Sequence, residues 1–369
     1  MSESTDFENI KTAERTQTME ETDRKCPQCG GTMDFDPETG GLHCPYCDYK
    51  EEIREVPQEP EKAKELDFST AEQTGNCDWG MNQKTVICKS CGAQSVYDAL
   101  EIASVCPYCG SNQVMEANDV STLAPGGVVA FKITAKQAGS AFYKWIKRKW
   151  FCPRAAKESA KAEAFQGIYL PYWTFDADTT TNYTAEYGIN REVRRGQETK
   201  TVTDWHRTSG VFVQFINDQL VSGTTNHEES TLHRIEPYDT EDNKAYKPEY
   251  IAGFAAERYS LGLKDAWEKA RDFIKSRLEA LIENKISDEH HADEVKNVVM
   301  DTAYRNITYK YLMLPVWISS FTYKGKVYQF MVNGQSGKVG GHSPISAIRV
   351  AVAVLIGLAA VALICWLSN

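Results

Sequence analysis

Eight of the eleven cysteines form one pattern that occurs twice in the N-terminal third of the chain. In each copy, two C-x2-C pairs are separated by 14 residues, and every cysteine of the second copy lies 62 residues after its counterpart in the first. Two such pairs offer four thiolates on two short turns, which is the ligand set of a tetrahedral structural Zn2+. We therefore predict two structural zinc sites, formed by Cys26, Cys29, Cys44 and Cys47 and by Cys88, Cys91, Cys106 and Cys109.

The two cysteine sets predict two zinc ribbons, residues 25–50 and residues 85–116, which are joined by an acidic linker over residues 51–84. Proline within a CPxC pair and glycine after its second cysteine suit the tight turn that points backbone N–H groups at sulfur. Units of this size bury too little apolar surface to fold alone, so the metal would supply much of their stability. Disulfides or thioredoxin-like redox pairs are the alternatives, and a reducing compartment would argue against both.

The charge of the predicted ribbons bears on their partners. Residues 25–50 contain two lysines against four acidic residues, residues 85–116 contain one lysine against three, and the whole chain has a net charge of −10. Nucleic-acid binding depends on Lys and Arg side chains that displace counterions from phosphates. The sequence therefore argues against nucleic acid as a partner and favours protein docking or an architectural role.

The C-terminal segment is apolar enough to be a membrane anchor. Residues 350–367 contain no charged side chain, and the predicted helix over residues 346–367 is long enough to cross a bilayer. Arg349 and Lys338 precede it, so the positive-inside rule places the bulk of the chain in the cytoplasm of a single-pass protein of the cell membrane. Residues 1–24 are polar and lack the apolar run of a secretory signal, which predicts a disordered N-terminus. A buried helix of a soluble protein is the alternative reading of the apolar segment.

Small side chains lie on one face of this predicted anchor. Ala353, Gly357 and Ala360 recur at helical spacing. Small residues let two membrane helices approach closely. We therefore expect a homodimer that forms through the anchor.

Residues 120–342 have the composition of a globular core, and two local patterns recur in them. Leu170-Pro171-Tyr-Trp173 and Leu314-Pro315-Val-Trp317 each precede a β-rich stretch. Each follows a helix-like segment (136–161 and 264–284) and, before that, a short apolar strand (128–133 and 258–263). These repeats predict an α+β domain built from two strand-helix-strand-strand halves, in which the tryptophans are buried core residues rather than a ligand platform.

Residues 142–162 are the one basic segment of the chain. They carry Lys144, Lys147, Arg148, Lys149, Arg154, Lys157 and Lys161 against Glu158 alone. A solvated helix face is the default interpretation, and attraction to anionic lipid headgroups, to an acidic partner or to nucleic acid are the alternatives. The seven histidines lack H-E-x-x-H spacing, and the chain has no Walker loop and no nucleophile elbow. We therefore expect a protein that is not an enzyme and has no catalytic residues.

The motifs together resemble a known family. They are the CPxC pairs, 90–93 (SCGA), 106–111 (CPYCGS), 167–176 (GIYLPYWTFD), 246–254 (YKPEYIAGF), 314–317 (LPVW) and 332–338 (VNGQSGK). The chain is similar in these to bacterial and archaeal membrane-associated proteins with TFIIB-type zinc ribbons. The resemblance implies a non-enzymatic membrane adaptor that partners SPFH-type and phage-shock-type membrane-stress proteins. Some relatives carry a replication-restart helicase label, which does not suit a chain without motor motifs.

The sequence therefore leads to three functional hypotheses. The first is a membrane-anchored zinc-ribbon adaptor that docks cytoplasmic proteins at the membrane, in a membrane-stress response. The second is a membrane-tethered nucleic-acid-associated factor of transcription or replication, which would act through residues 142–162. The third treats the ribbons as a sensor of zinc or oxidants.

Overall fold

The computed structural model describes residues 25–53, 62–71, 83–89, 94–98, 106, 114–117, 123–159, 165–195, 198–324 and 326–367. Its strands are β1 (Asp34–Asp36), β2 (Gly41–His43), β3 (Lys50–Glu51), β4 (Leu66–Asp67), β5 (Gln83–Cys88), β6 (Gln94–Asp98), β7 (Val114–Ala117), β8 (Gly127–Val128), β9 (Gln166–Arg195), β10 (Glu198–Ser222), β11 (Lys244–Ala245), β12 (Ala255–Ala256), β13 (Glu294–Tyr323), β14 (Lys326–Asn333) and β15 (Val339–Gly341). Its α-helices are α1 (Ala135–Arg148), α2 (Arg154–Ser159), α3 (Glu229–Ile235), α4 (Leu263–His290) and α5 (Ala347–Leu367). Short 3-10 helices cover Phe68–Thr70, Thr240–Asp242 and Pro248–Ile251. The fold is therefore mixed α+β, with one long apolar helix at the C-terminus.

A small antiparallel sheet, in the order β1-β2-β3, carries the first cysteine set. Phe35 on β1 is buried against the ring of Tyr250, with ring centroids 6.0 Å apart. The Phe35 amide donates to the Ala252 carbonyl at 3.1 Å, which ties the small sheet to the rest of the protein. Met33 and Leu42 are buried in the same core cluster as Trp173. The small sheet therefore shares one hydrophobic core with the larger part of the chain.

Three long strands dominate the large sheet. β9 lies in the middle, with β10 antiparallel on one side and β13 antiparallel on the other. A strand of 30 residues spans up to about 100 Å when it is straight. The path through the sheet runs β11-β8-β13-β9-β12-β6-β5-β7, while β4 and β14 also pair with β13, and β15 pairs with β14. Shifts in register after Ile216, Lys296 and Arg305 mark irregular points along the long strands, where bulges bend such strands.

α4 covers one face of the long strands, because its apolar residues recur every four positions. The buried stripe on α4 contains Ala266, Ala270, Ile274, Leu278, Ile282 and Ile286. The strand residues that alternate toward the buried face of β9 are Ala177, Thr179, Thr181, Tyr183 and Ala185. Ile282 and Ile286 pack with Tyr183 and Ala185 in one cluster. The opposite face of these strands is open to solvent.

The two Leu-Pro-x-Trp motifs lie directly opposite each other. Leu170 on β9 is the register partner of Leu314 on β13. The indole N–H of Trp173 donates to the Leu261 carbonyl, and that of Trp317 donates to the Ile133 carbonyl, both at 3.0 Å. Each acceptor carbonyl immediately precedes the N-cap of a helix, Gly262 for α4 and Thr134 for α1. Both tryptophans are thus core residues that fix a helix start to a strand.

The structure departs from the sequence predictions in four places. The predicted helix over residues 136–161 is two helices, because Pro153 lacks the amide that a continuous helix needs. Residues 258–263 form no strand, and the short strand of this half is β12 (Ala255–Ala256), which ends just before them. The predicted strand over residues 128–133 ends at Val128, since the amides of Lys132 and Ile133 both bind the Gly334 carbonyl in place of a regular strand ladder. Part of the predicted linker packs on the sheet, since β4 pairs antiparallel with β13 at Leu66 and Asp67.

Candidate functional site

The first cysteine set converges on one point. Cys26 and Cys29 lie on the turn before β1, and Cys44 and Cys47 lie on the turn between β2 and β3. The Sγ atoms of Cys26 and Cys47 are 3.5 Å apart, as are those of Cys29 and Cys44. All four sulfurs lie within 4.8 Å of one another.

The two turns that carry these cysteines have matching backbone hydrogen bonds. The Cys26 amide donates to Gly31 at 2.7 Å, and the Cys44 amide donates to Tyr49 at 2.8 Å. Gly30 adopts a φ of 76° in the first turn, and Asp48 adopts a φ of 58° at the equivalent place in the second. Aspartate tolerates this left-handed conformation better than most residues do. The second turn therefore forms without the glycine that the first turn uses.

The separation of the sulfurs suits a tetrahedral metal. A Zn–S bond of about 2.3 Å places the sulfurs of a tetrahedral site about 3.8 Å apart. The 3.5 Å sulfur pairs and the 4.8 Å limit of the set bracket that spacing. These four cysteines could therefore bind a metal ion, and their geometry is consistent with zinc.

The thiols of this set influence one another's ionisation. Burial opposes the thiolate of Cys44, but hydrogen bonds from the amides of Tyr46 and Cys47 outweigh it and lower its pKa to about 7. The Tyr49 amide favours the thiolate of Cys47, but burial and the neighbouring sulfurs outweigh it and raise its pKa to about 12. Four thiolates this close repel each other, so a cation at their centre would allow all of them to ionise.

The second cysteine set is described only in part. Cys88, at the end of β5, and Cys106 are both buried and belong to one apolar cluster. Cys91 and Cys109 lie outside the described residues. The second zinc site therefore stays a prediction.

A second polar cluster lies on the large sheet, and the sequence analysis missed it. Carboxylate oxygens of Glu65, Asp176 and Asp218 lie within 4.8 Å of one another. The ammonium of Lys310 forms an ion pair with Asp218 at 2.6 Å and also pairs with Glu65. Burial opposes the charge of Lys310, but these two hydrogen-bonded carboxylates outweigh it and raise its pKa. The ammonium of Lys310 thus already supplies a positive charge to this carboxylate cluster.

A buried glutamate was likewise missed. Glu257 is 1% exposed and accepts a hydrogen bond from Asn226 Nδ2 at 2.6 Å and one from the Thr224 hydroxyl. His227 Nε2 lies 3.2 Å from its other carboxylate oxygen. This group ties the loop after β10 to the segment after β12, so it serves the fold.

The uncovered face of the long strands carries apolar side chains. We call the set of Val211, Val213 and Phe215 on β10 and Val299 on β13 the open face, and Val213 is 70% exposed. Val299 pairs with Thr184 on β9, and Val211 pairs with Asn182, so both lie on the same side of the sheet. Within the described part of the chain, β10 pairs with β9 alone, so its other edge has no strand beside it.

The C-terminal helix has no core-facing side. Ala347–Trp366 has a mean hydropathy of 2.7, and none of this segment is buried. The helix is long and apolar enough to span a membrane. Its observed bounds, Ala347–Leu367, agree with the predicted helix over residues 346–367.

Comparisons with known proteins find one informative similarity. The chain is 29% identical over 330 residues to an uncharacterized protein, YdjG, of Bacillus subtilis (strain 168). The aligned region covers 89% of this chain and 91% of that protein. No protein-family model matches the chain, and no solved structure matches it.

Proposed function

We propose that both cysteine sets bind structural Zn2+, one ion each, in ribbon-type units. The convergence of Cys26, Cys29, Cys44 and Cys47 within 4.8 Å supports the first site. The second set repeats the same spacing, and its two described cysteines, Cys88 and Cys106, are buried in one apolar cluster. In the first unit, the metal would hold together a small sheet whose apolar side packs on the main core, so zinc would stabilise more than the ribbon itself.

Metal counting tests this proposal. Cys44→Ser removes one of four ligands, so the zinc content of the purified chain should fall from two ions to one, and the melting temperature should fall with it. Cys88→Ser should also leave one ion. Cys365→Ser, in the apolar helix, is the control and should leave both. An unchanged zinc content in Cys44→Ser would contradict the first site.

We propose that the chain is a non-enzymatic, single-pass membrane adaptor whose cytoplasmic bulk docks proteins at the membrane. The observation that carries the proposal is the open face. Contiguous exposed apolar surface commonly marks a protein-protein interaction site. Three of its four side chains lie on β10, whose outer edge is unpaired in the described part of the chain, and an unpaired strand edge can also accept a strand from a partner.

The surroundings of the open face fit a protein partner better than nucleic acid. Asp178, Glu186 and Asp301 lie on the same side of the sheet as Val211 and Val213. Three basic residues of that side are matched by these acids: Arg207 and Lys296 both pair with Glu186, and Arg305 is the register partner of Asp178. The charges around the valines therefore balance, and they form no basic patch. The net charge of −10 points the same way. The turn at residues 150–152, within the basic segment, lies instead next to the start of α5.

The family resemblance suggests the class of partner. The resemblance implies partners of the SPFH type and the phage-shock type, which a chain anchored through α5 could hold at the membrane. We propose that these proteins dock on the open face, as part of a membrane-stress response.

A pull-down of the full chain from solubilised native membranes tests the adaptor proposal. We expect SPFH-type or phage-shock-type proteins to be recovered with the wild-type chain. Val211→Thr combined with Val213→Thr keeps β-branched side chains but removes apolar area, so recovery should fall by about tenfold, as loss of two interface contacts implies. Val202→Thr, on the opposite face of the same strand, is the control. Equal recovery with all three chains would contradict docking at the open face.

A further inference from the structure

The start of α5 is joined to the basic part of the head by three hydrogen bonds. The Ser346 amide donates to the Phe151 carbonyl at 2.9 Å. The guanidinium of Arg349 donates to the carbonyls of Trp150 and Cys152 at 2.6 and 2.9 Å. The turn that follows α1 is therefore fixed against the first turn of the apolar helix.

A cavity of about 450 Å3 opens beside this joint. Its volume lies within the range of small-molecule sites. Arg148, Lys149 and Arg234 line it together with Trp150, Phe151 and Ile345. We call it the joint cavity. It combines cationic side chains from α1 and α3 with apolar side chains from the segments that lead into α5.

Positive charge dominates the joint cavity. Arg148 forms no ion pair with any described residue, and Lys149 lies over the ring of Trp145 at 4.7 Å. Arg234 donates to the Gly341 carbonyl at 3.1 Å and forms no ion pair with a residue in the described part of the chain. No carboxylate is among the described lining residues, and His342, which lines the cavity, pairs with the Glu228 carboxylate at 2.9 Å.

The position of the joint cavity relative to the membrane follows from the length of α5. A helix of 21 residues is about 31 Å long, which matches the hydrocarbon core of a bilayer. If α5 spans the membrane, its first turn marks the boundary of that core, and the joint cavity lies at the level of the lipid headgroups. Trp150 is 53% exposed and Phe151 is 42% exposed, and aromatic side chains are enriched at this level in membrane proteins.

We propose that the joint cavity binds the phosphate of an anionic glycerophospholipid of the leaflet into which α5 inserts. Arg148, Lys149 and Arg234 provide the charge for the phosphate, and Trp150, Phe151 and Ile345 contact the glycerol and the upper acyl chains. A zwitterionic lipid fits less well, because its ammonium would meet three cations and a glutamate already paired with His342. Cations next to a membrane helix attract anionic lipid in general, and the joint cavity adds a place for the headgroup.

Lipid retention by the full chain tests the proposal. The chain is reconstituted into nanodiscs of equal phosphatidylglycerol and phosphatidylcholine, extracted in mild detergent and weighed by native mass spectrometry. We expect wild type to retain phosphatidylglycerol in preference to phosphatidylcholine. Arg148→Gln combined with Lys149→Gln should reduce that preference by about 30-fold, which corresponds to about 2 kcal/mol for two cations. Arg148→Gln alone, an exposed and conservative change, should give an intermediate loss.

The matched control is Lys275→Gln combined with Arg277→Gln, which removes the same charge from exposed positions of α4. It should retain phosphatidylglycerol as wild type does, whereas an equal loss would show diffuse attraction and overturn the cavity as the binding site.

Excess inorganic phosphate at matched ionic strength should not displace the lipid, since the acyl chains also bind. Displacement would overturn the lipid as ligand. Equal retention of both lipids by wild type would also overturn the proposal, and none of these results depends on the protein partners proposed above.

Discussion

At the scale of single residues, the buried charges on the large sheet set a pH dependence. Burial raises the pKa of Asp176, and the nearby carboxylates of Glu65 and Asp218 act in the same direction, while the Asp218 amide and Lys310 oppose them. The Asp218 amide donates to Asp176 Oδ1 at 2.6 Å. Asp176 thus serves as a hydrogen-bond acceptor, and its buried negative charge lowers the free energy of unfolding.

The sign of this effect gives a prediction. The pKa of Asp176 is higher in the folded state than the value of about 3.9 in the unfolded state, so folding favours the protonated carboxyl. The stability that the protonated carboxyl contributes is complete below the unfolded pKa and is lost as pH rises through the folded pKa. Asp176→Asn keeps an acceptor and removes the charge. We therefore expect a higher free energy of unfolding than wild type at pH near 7, and a difference that shrinks on acidification toward pH near 4.

Denaturant titration of the detergent-solubilised chain at both pH values measures this difference. Asp178→Asn is the control, because Asp178 lies two positions away on the exposed face and binds Asn306 Nδ2 at 2.8 Å. It should show no such gain. A loss of stability in Asp176→Asn at neutral pH would mean that the carboxylate charge supports Lys310 more than it is penalised by burial.

What the sequence reveals about single residues depends on whether their spacing is local. The first cysteine set was found because metal ligands on two turns repeat at short, fixed intervals. Glu65, Asp176, Asp218 and Lys310 come together only through the pairing of distant strands, so no local pattern announces them. Glu257 was missed for the same reason, since its partners lie in the loop after β10.

At the scale of elements, two equivalent tryptophans fasten two helices to two strands. Trp173 on β9 holds the start of α4, and Trp317 on β13 holds the start of α1. β12 runs parallel to β9, and β8 runs parallel to β13, so the surroundings also correspond. Two related strand-helix-strand-strand halves would share these features, and their relation stays a prediction.

If the halves are related, equivalent substitutions should have equivalent costs. Trp173→Phe and Trp317→Phe each leave a buried backbone carbonyl without its donor, so each should reduce the free energy of unfolding by about 1–3 kcal/mol, in addition to lost packing. Trp366→Phe, in the exposed apolar helix, should cost little. Denaturant titrations measure all three. A large cost at one tryptophan and none at the other would contradict equivalence.

The recurrence of Leu-Pro-x-Trp was enough to anticipate buried tryptophans and the order of elements. It could not anticipate that β9 and β13 would run for 30 residues each, because strands usually have about 3–10 residues and both segments contain residues that often end a strand, such as Gly188 and Asn306. The packing of residues 62–71 on the sheet could not be predicted from the sequence either, because Leu66 and Glu65 contact residues of β13, which is distant in the chain.

At the scale of the whole molecule, the apolar helix α5 and the folded head differ in where their apolar side chains lie. The head buries its apolar side chains in a common core, whereas α5 exposes nearly all of its own. Exposure on this scale is stable only if something apolar surrounds the helix. A bilayer satisfies that requirement along the full length of α5.

Charged substitutions in the middle of α5 test this interpretation. Arginine at the centre of a membrane helix costs about 2.5–3.5 kcal/mol, so Leu355→Arg combined with Leu358→Arg should oppose insertion by about 5–7 kcal/mol. We expect the variant to move from the carbonate-resistant membrane pellet to the supernatant. Leu355→Ile combined with Leu358→Ile should stay in the pellet. A double-arginine chain that also stays there would contradict a membrane-spanning α5.

The joint between Arg349 and the turn at residues 150–152 has a mechanical consequence. Since these hydrogen bonds clamp the head to the first turn of α5, a twist of the helix about its axis must carry the head with it. Two chains that pair through their helices would then hold their open faces at one set angle and one set separation. A dimer with two binding faces at a fixed separation binds most tightly to a target whose binding sites repeat at the same separation. Such a pair would select assembled arrays of a partner over single subunits.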